Sequence, residues 1–164
     1  MQERVRIMMN LALLIRNFRR CNVIHRDLAT DHIFVRENFE LSVIDFGMSS
    51  FLHQLSPEKY QAAHSRELRN FGLIMCYLLI KEPRPSFGAP ELCLNAWAKA
   101  MARLRALTLP PELVRIIERT VAIDPACSLI TRNDKPPYTK VEEIFAALEQ
   151  VSSVLQVEIS DAVA

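Results

Sequence analysis

A mainly α-helical fold carrying one small β-hairpin is the architecture this sequence predicts, and three patterns support it. Val5, Met8, Met9, Ala12 and Ile15 recur at the spacing of one helix face. Residues 67–80 are apolar nearly all round, as a helix buried through the middle of a domain should be. Between these two stretches, Ile33–Val35 and residues 41–44 are short β-branched runs on either side of the polar turn 36–40, the pattern of a two-stranded ribbon.

Taken in order, the chain opens with a helix over 3–20. A loop over 24–32 follows, then the hairpin 33–45 and a short irregular segment 45–66. The buried helix covers 67–81. Three prolines and a glycine make residues 81–90 a loop. Ala, Leu, Met and Arg content predicts a helix over 91–107. Pro110 and Pro111 open the next, over 111–122, where proline at the first turn is tolerated. Residues 131–138 are polar and proline-rich, hence a loop. Val141, Ile144, Phe145, Leu148 and Val151 mark a last amphipathic helix over 139–156, with a frayed tail at 157–164. No internal repeat or low-complexity segment interrupts this order.

The 164 residues suffice for one domain with its own core, 1–156. A net charge of +1 gives no bulk attraction to nucleic acid or to a membrane surface, and the arginines at 4, 6, 16, 19 and 20 read as a solvated helix face. No apolar run reaches the length of a transmembrane helix. Residues 1–15 imitate a signal peptide, but Arg16, Asn17, Phe18, Arg19 and Arg20 stand where small residues should mark a cleavage site. Cys21, Cys76, Cys93 and Cys127 show no C-x-x-C pairing, which argues against a zinc or redox site and for a reduced, cytoplasmic setting.

Chemistry concentrates in two short motifs, His25-Arg26-Asp27-Leu28 and Asp45-Phe46-Gly47, with the hairpin between them. The aspartates are 18 positions apart (45 minus 27), and a hairpin of that length turns the chain back so that both carboxylates can face one volume. Phosphoryl transfer needs such a pair: one carboxylate to orient the attacking hydroxyl, another to hold a cation that offsets charge on the phosphate oxygens.

The order of helix, His-Arg-Asp loop, hairpin, Asp-Phe-Gly and buried helix resembles the C-terminal lobe of eukaryotic-type protein kinases. Two later stretches extend the likeness. Residues 67–72 (ELRNFG) look like the start of that family's central helix, and Asp124-Pro125 like the end of its late helix. The resemblance implies Asp27 as catalytic carboxylate, with His25 and Arg26 bracing its loop. It implies ATP as co-substrate and Mg2+, or Mn2+, as cation, held by Asp45. His32, Asp45, Phe46 and Gly47 would form the cofactor side, Phe46 packing beneath it and Gly47 permitting a tight turn.

Departures from the pattern shape the functional reading. Position 32, where protein kinases place an asparagine that helps hold metal, is a histidine here. Magnesium prefers oxygen to imidazole, so His32 either weakens metal binding or reports a different subfamily, the plainer alternative being a histidine that caps or packs the loop. His25 to Thr30 and Asp45 to Ser49 look like tyrosine-kinase segments, whereas a histidine at position 32 before a Leu-Ser-Val-Ile-Asp strand resembles bacterial lipopolysaccharide core kinases. Ser56-Pro57-Glu58 stands for the motif that closes the activation segment, yet Ser128 replaces the arginine that should pair with Glu58, leaving Glu58 exposed or paired elsewhere.

No glycine precedes Gly47, so the glycine-rich phosphate cover and its strand lysine have no place in these residues and the nucleotide lobe is expected to be absent. Three functions follow as expectations: a phosphotransferase lobe that is weak or inactive alone, a non-catalytic kinase-like interaction module, or a relative of sugar kinases. The expected partner is the missing N-terminal lobe or a protein on the apolar face it would cover.

Overall fold

The computed structural model describes residues 1–81, 90–128, 131 and 135–163. Among the described residues six α-helices make the body: α1 (Gln2–Arg20), α2 (Pro57–Ile80), α3 (Pro90–Ala106), α4 (Pro111–Val121), α5 (Pro125–Ser128) and α6 (Val141–Val163). Four short strands among the same residues form its rim: β1 (Val23–Ile24), β2 (Ile33–Val35), β3 (Leu41–Val43) and β4 (Ser50–Phe51). Each pair is antiparallel, β2 with β3 and β1 with β4.

Helix α2 is the axis of the core. Leu68, Phe71, Leu73, Met75 and Cys76 are fully buried on different sides of it, because α1, α3 and α4 all pack on it. Its approach to α4 is set by Gly72, where a Cβ would lie 2.6 Å from Val121 Cγ2 and 3.0 Å from the Val121 backbone nitrogen. Only a residue without a side chain lets these two backbones come so near. The stripe Val5, Met8, Leu11, Ala12 and Ile15 of α1 is buried, and α6 is its chief neighbour, supplying Val141, Ile144, Leu148, Val151 and Leu155 at matching spacing. Among the described residues no helix is long and apolar enough to cross a membrane.

The central helix starts ten residues before position 67 (67 minus 57), inside the stretch expected to be an irregular segment. Its start is locally encoded. Ser56 is the N-cap and its Oγ accepts from the Lys59 N–H at 3.4 Å, Pro57 occupies the first turn, and Glu58 sits near the positive end of the helix. The Glu58 carboxyl is exposed, and a backbone N–H, then the Ser56 hydroxyl, hold its pKa below the usual value. This resolves the question of its partner, since no buried charge needs one. At the other end Lys81 closes the helix in the left-handed conformation (φ 58°, ψ 37°), its N–H donating to the Tyr77 carbonyl.

Two further boundaries differ from expectation. Helix α6 begins at Val141, with Glu143 accepting from the Thr139 and Lys140 N–H groups ahead of it, and it continues to Val163 through the stretch expected to fray. The β1–β4 ribbon has no counterpart in the sequence reading. The expected loop over 81–90 lies, apart from its two end residues, outside the described residues.

Candidate functional site

The hairpin creates the site. Its register pairs Ile33 with Val43, Phe34 with Ser42 and Val35 with Leu41, and the ladder continues one step further as the Ile44 N–H donates to the His32 carbonyl at 3.0 Å. Position 32 is thereby laid across from position 44, and Asp45 arrives beside the His32 ring. Asp27 is tied to the same ring, because His32 Nδ1 bonds the Asp27 backbone carbonyl at 2.9 Å. The Asn10 side chain anchors the ribbon's turn to α1 by donating to the Phe39 carbonyl at 2.8 Å.

The outcome is a cluster of three donors. One ligand atom each from Asp27, His32 and Asp45 lies within 4.8 Å of the other two. His32 Nε2 is 3.6 Å from Asp45 Oδ2, and His32 Nδ1 is 3.8 Å from Asp27 Oδ2. The carboxylates are 36% and 57% exposed, the imidazole 18%, so the ring is fixed while the acids stay open to a ligand. A carbonyl oxygen only accepts, so Nδ1 carries a hydrogen, and Nε2 is the ring nitrogen turned toward Asp45. As a cation site the cluster fits a divalent ion in charge, and its His32–Asp45 pair fits one in spacing. Its mixed oxygen and nitrogen donors differ from the all-oxygen set that magnesium favours.

The other four residues singled out from the sequence frame this cluster without joining it. His25 is fully buried. Its Nε2 donates to the Ile44 carbonyl at 3.0 Å and its backbone N–H to Glu67 Oε1 at 3.0 Å. Arg26 turns away, donating from Nη1 to Ser50 Oγ at 2.9 Å. Phe46 packs on the His25 ring at 4.7 Å between centroids and edge-on against Phe18 at 5.4 Å. Gly47 does not supply a left-handed turn. The positive φ falls instead on Arg26 (66°) and Asp45 (60°). What Gly47 contributes is room, since a Cβ there would lie 3.2 Å from Asp45 Oδ1, the atom that accepts the Gly47 N–H at 3.3 Å. Left-handed backbone at two non-glycine residues is held strain, and it sits beside the cluster.

Glu67 and Arg19 are the functional-site residues that sequence reasoning missed. Glu67 is 1% exposed in the middle of α2. Its Oε2 accepts from Arg19 Nη2 at 2.6 Å while its Oε1 receives the His25 N–H. One carboxylate thus fastens the loop carrying Asp27 to both α1 and α2. The available signal was an acid directly before the largely apolar run that begins at Leu68, which must find a partner when buried. The apolar cavity of about 430 Å³ between α1, α2 and the hairpin is a separate feature, lined by Leu11, Ile33, Val35 and Ile74 and by none of the three donors.

A profile of the family described as protein tyrosine and serine/threonine kinase matches residues 1–72, the stretch that holds Asp27, His32, Asp45 and Glu67. No match was found among the curated proteins. The profile match, on a mostly helical chain with two small antiparallel sheets, supports a protein-kinase-like superfamily for this chain.

Proposed function

We propose that the chain is the helical lobe of a kinase-like phosphotransferase, with Asp27 as proton acceptor for a hydroxyl and Asp45 as cation ligand for a nucleoside triphosphate. The carrying observation is the convergence of Asp27, His32 and Asp45 donors within 4.8 Å, through a hairpin that holds position 32 against position 44. A divalent ion bound there would offset charge on the phosphate oxygens. Asp27, partly exposed and fixed through its own carbonyl, is free to receive the proton of an acceptor hydroxyl. His25 and Glu67 keep that loop in place from beneath.

These 164 residues contain 3 glycines and no glycine-rich cover for phosphates, so nucleotide binding by them alone is expected to be weak and transfer slow. The test is thermal stabilisation by ATP with Mg2+ or Mn2+, followed by transfer of labelled γ-phosphate to protein and sugar hydroxyls. A ligand that binds only the folded chain must raise its melting temperature. The expected result is stabilisation lost in Asp45→Asn and transfer lost in Asp27→Asn. Stabilisation equal in wild type and Asp45→Asn would refute the reading.

One observation favours a second reading, the non-catalytic interaction module. Phe34, Val35, Ile44, Phe46, Met48 and Phe51 are exposed apolar side chains along the hairpin and the segment after it. Nucleotide-independent binding of a partner, undisturbed by Asp27→Asn, would support that reading over the first.

A further inference from the structure

We infer that Asp27, His32 and Asp45 select a first-row transition dication of the Mn2+ or Co2+ class over Mg2+, with His32 Nε2 as a direct ligand. The inference rests on reading this cluster as the cation site and specifies which cation it takes. Three features of the geometry support it.

The first is the orientation of the ring. With Nδ1 engaged by the Asp27 carbonyl at 2.9 Å, the imidazole cannot turn away, and its remaining nitrogen faces Asp45. A histidine whose other nitrogen is held by a backbone carbonyl is a pre-oriented metal ligand. The second is the 3.6 Å gap between His32 Nε2 and Asp45 Oδ2. It is too long for a hydrogen bond. It does suit two ligands of one ion, which at about 2.1 Å each can lie no more than about 4.2 Å apart. The third is charge. The two carboxylates approach one imidazole, the three ligand atoms within 4.8 Å of one another, with no Lys or Arg side chain bonded to either carboxylate among the described residues. A dication would remove their mutual repulsion.

The choice of ion follows from the donors. Mg2+ gives up water reluctantly and prefers oxygen ligands in a regular octahedron. Imidazole raises affinity for Mn2+, and more so for Co2+ and Zn2+, while doing little for Mg2+. His32 therefore biases the site without excluding oxygen-bound nucleotide.

The experiment titrates the full chain with MgCl2 and MnCl2, without nucleotide, by calorimetry and thermal melting. Pulsed EPR of the Mn2+ complex then reads 14N coupling from a ligated imidazole. Wild type should bind Mn2+ on the order of tenfold or more tighter than Mg2+. His32→Asn should lose most of that preference and the 14N coupling. Asp45→Asn should lose both as well, which separates this site from His53 and His64. If His32→Asn fails to fold, the 14N coupling of wild type against Asp45→Asn decides alone. Equal affinity for the two ions, or Mn2+ bound without 14N coupling, overturns the inference. If that binding is still lost in Asp45→Asn, the kinase-like reading survives. Cation binding indifferent to Asp45→Asn overturns both.

Discussion

Replacing Glu67 by glutamine changes one atom and should loosen the join between the candidate site and the core. The glutamine oxygen can still accept the His25 N–H, but as a neutral acceptor, where bonds of about 0.5–1.5 kcal/mol replace those of about 1.5–3. The new amide nitrogen meets Arg19 Nη2, which now bonds Glu67 Oε2 at 2.6 Å, so two donors face each other. Arg19 keeps a bond to His64 Nδ1 at 2.8 Å and its place over the Tyr60 ring, which softens the loss. Removing one partner of a buried pair costs about 3–5 kcal/mol, and with these residual contacts the lower end, about 3 kcal/mol, is the expected value. For a chain of this size that lowers Tm by roughly 6–12 °C. Urea unfolding at unchanged m-value is the assay. Arg19→Met should cost a similar amount, and the Glu67→Gln, Arg19→Met double variant much less than the sum of the two. A loss below about 0.5 kcal/mol for Glu67→Gln, or strict additivity in the double variant, would refute the role given to this carboxylate.

Gly72→Ala should destabilise by about 1–2 kcal/mol in the same assay, because overpacking against Val121 outweighs the gain in helix propensity. Lys81→Gly should stabilise by about 0.5–1 kcal/mol, since glycine takes the left-handed cap of α2 without strain. Burial, with the Asp124 charge adding and Arg69 opposing, pushes the Cys127 thiol from 9.0 up to about 12. Its contribution to stability is present below the unfolded pKa and is lost as pH rises from about 9 toward 12, because the unfolded chain then binds fewer protons. Tyr138, also raised chiefly by burial, acts in the same direction. Unfolding free energy should therefore fall above pH 9 (about the ordinary thiol value), with a shallower fall in Cys127→Ala. A thiol reagent at neutral pH should label exposed Cys21 well before buried Cys76 and Cys127, which mass spectrometry can read.

The helical body and the ribbon were legible because their signals are local. Ile33–Val35 and Leu41–Val43 are β-branched or apolar runs around a polar turn, and they pair as their pattern says. The donor cluster was legible at one remove, since a hairpin between Asp27 and Asp45 leaves the two ends side by side. The early start of α2 was hidden by a motif. Ser56-Pro57-Glu58 was read as the end of an activation segment, although serine, proline and glutamate in that order also spell a helix N-terminus. The β1–β4 ribbon was illegible because two residues carry no periodicity, and Val23 meets Phe51 only after the intervening loop has folded. The same holds for Glu67, whose partners lie 48 and 42 positions away. Spacing along the chain cannot reveal a bond that depends on three elements meeting. Gly47 does lie in a tight turn, but which residue of that turn goes left-handed is decided by the bonds around it, here the Asp45 carboxylate on the Gly47 N–H.

The pairing of α1 with α6 bears on how the chain reaches its native state during translation. Helix α1 carries a greasy stripe whose chief cover, α6, is translated only after the helices between them. Val5, Met8 and Ile15 must therefore wait, or be shielded by a chaperone, until α6 emerges. Closing so long a loop is a late and slow step. A ribosome-stalled chain ending before residue 141 should be open to protease within 1–20, and release of the remaining residues should abolish that cleavage.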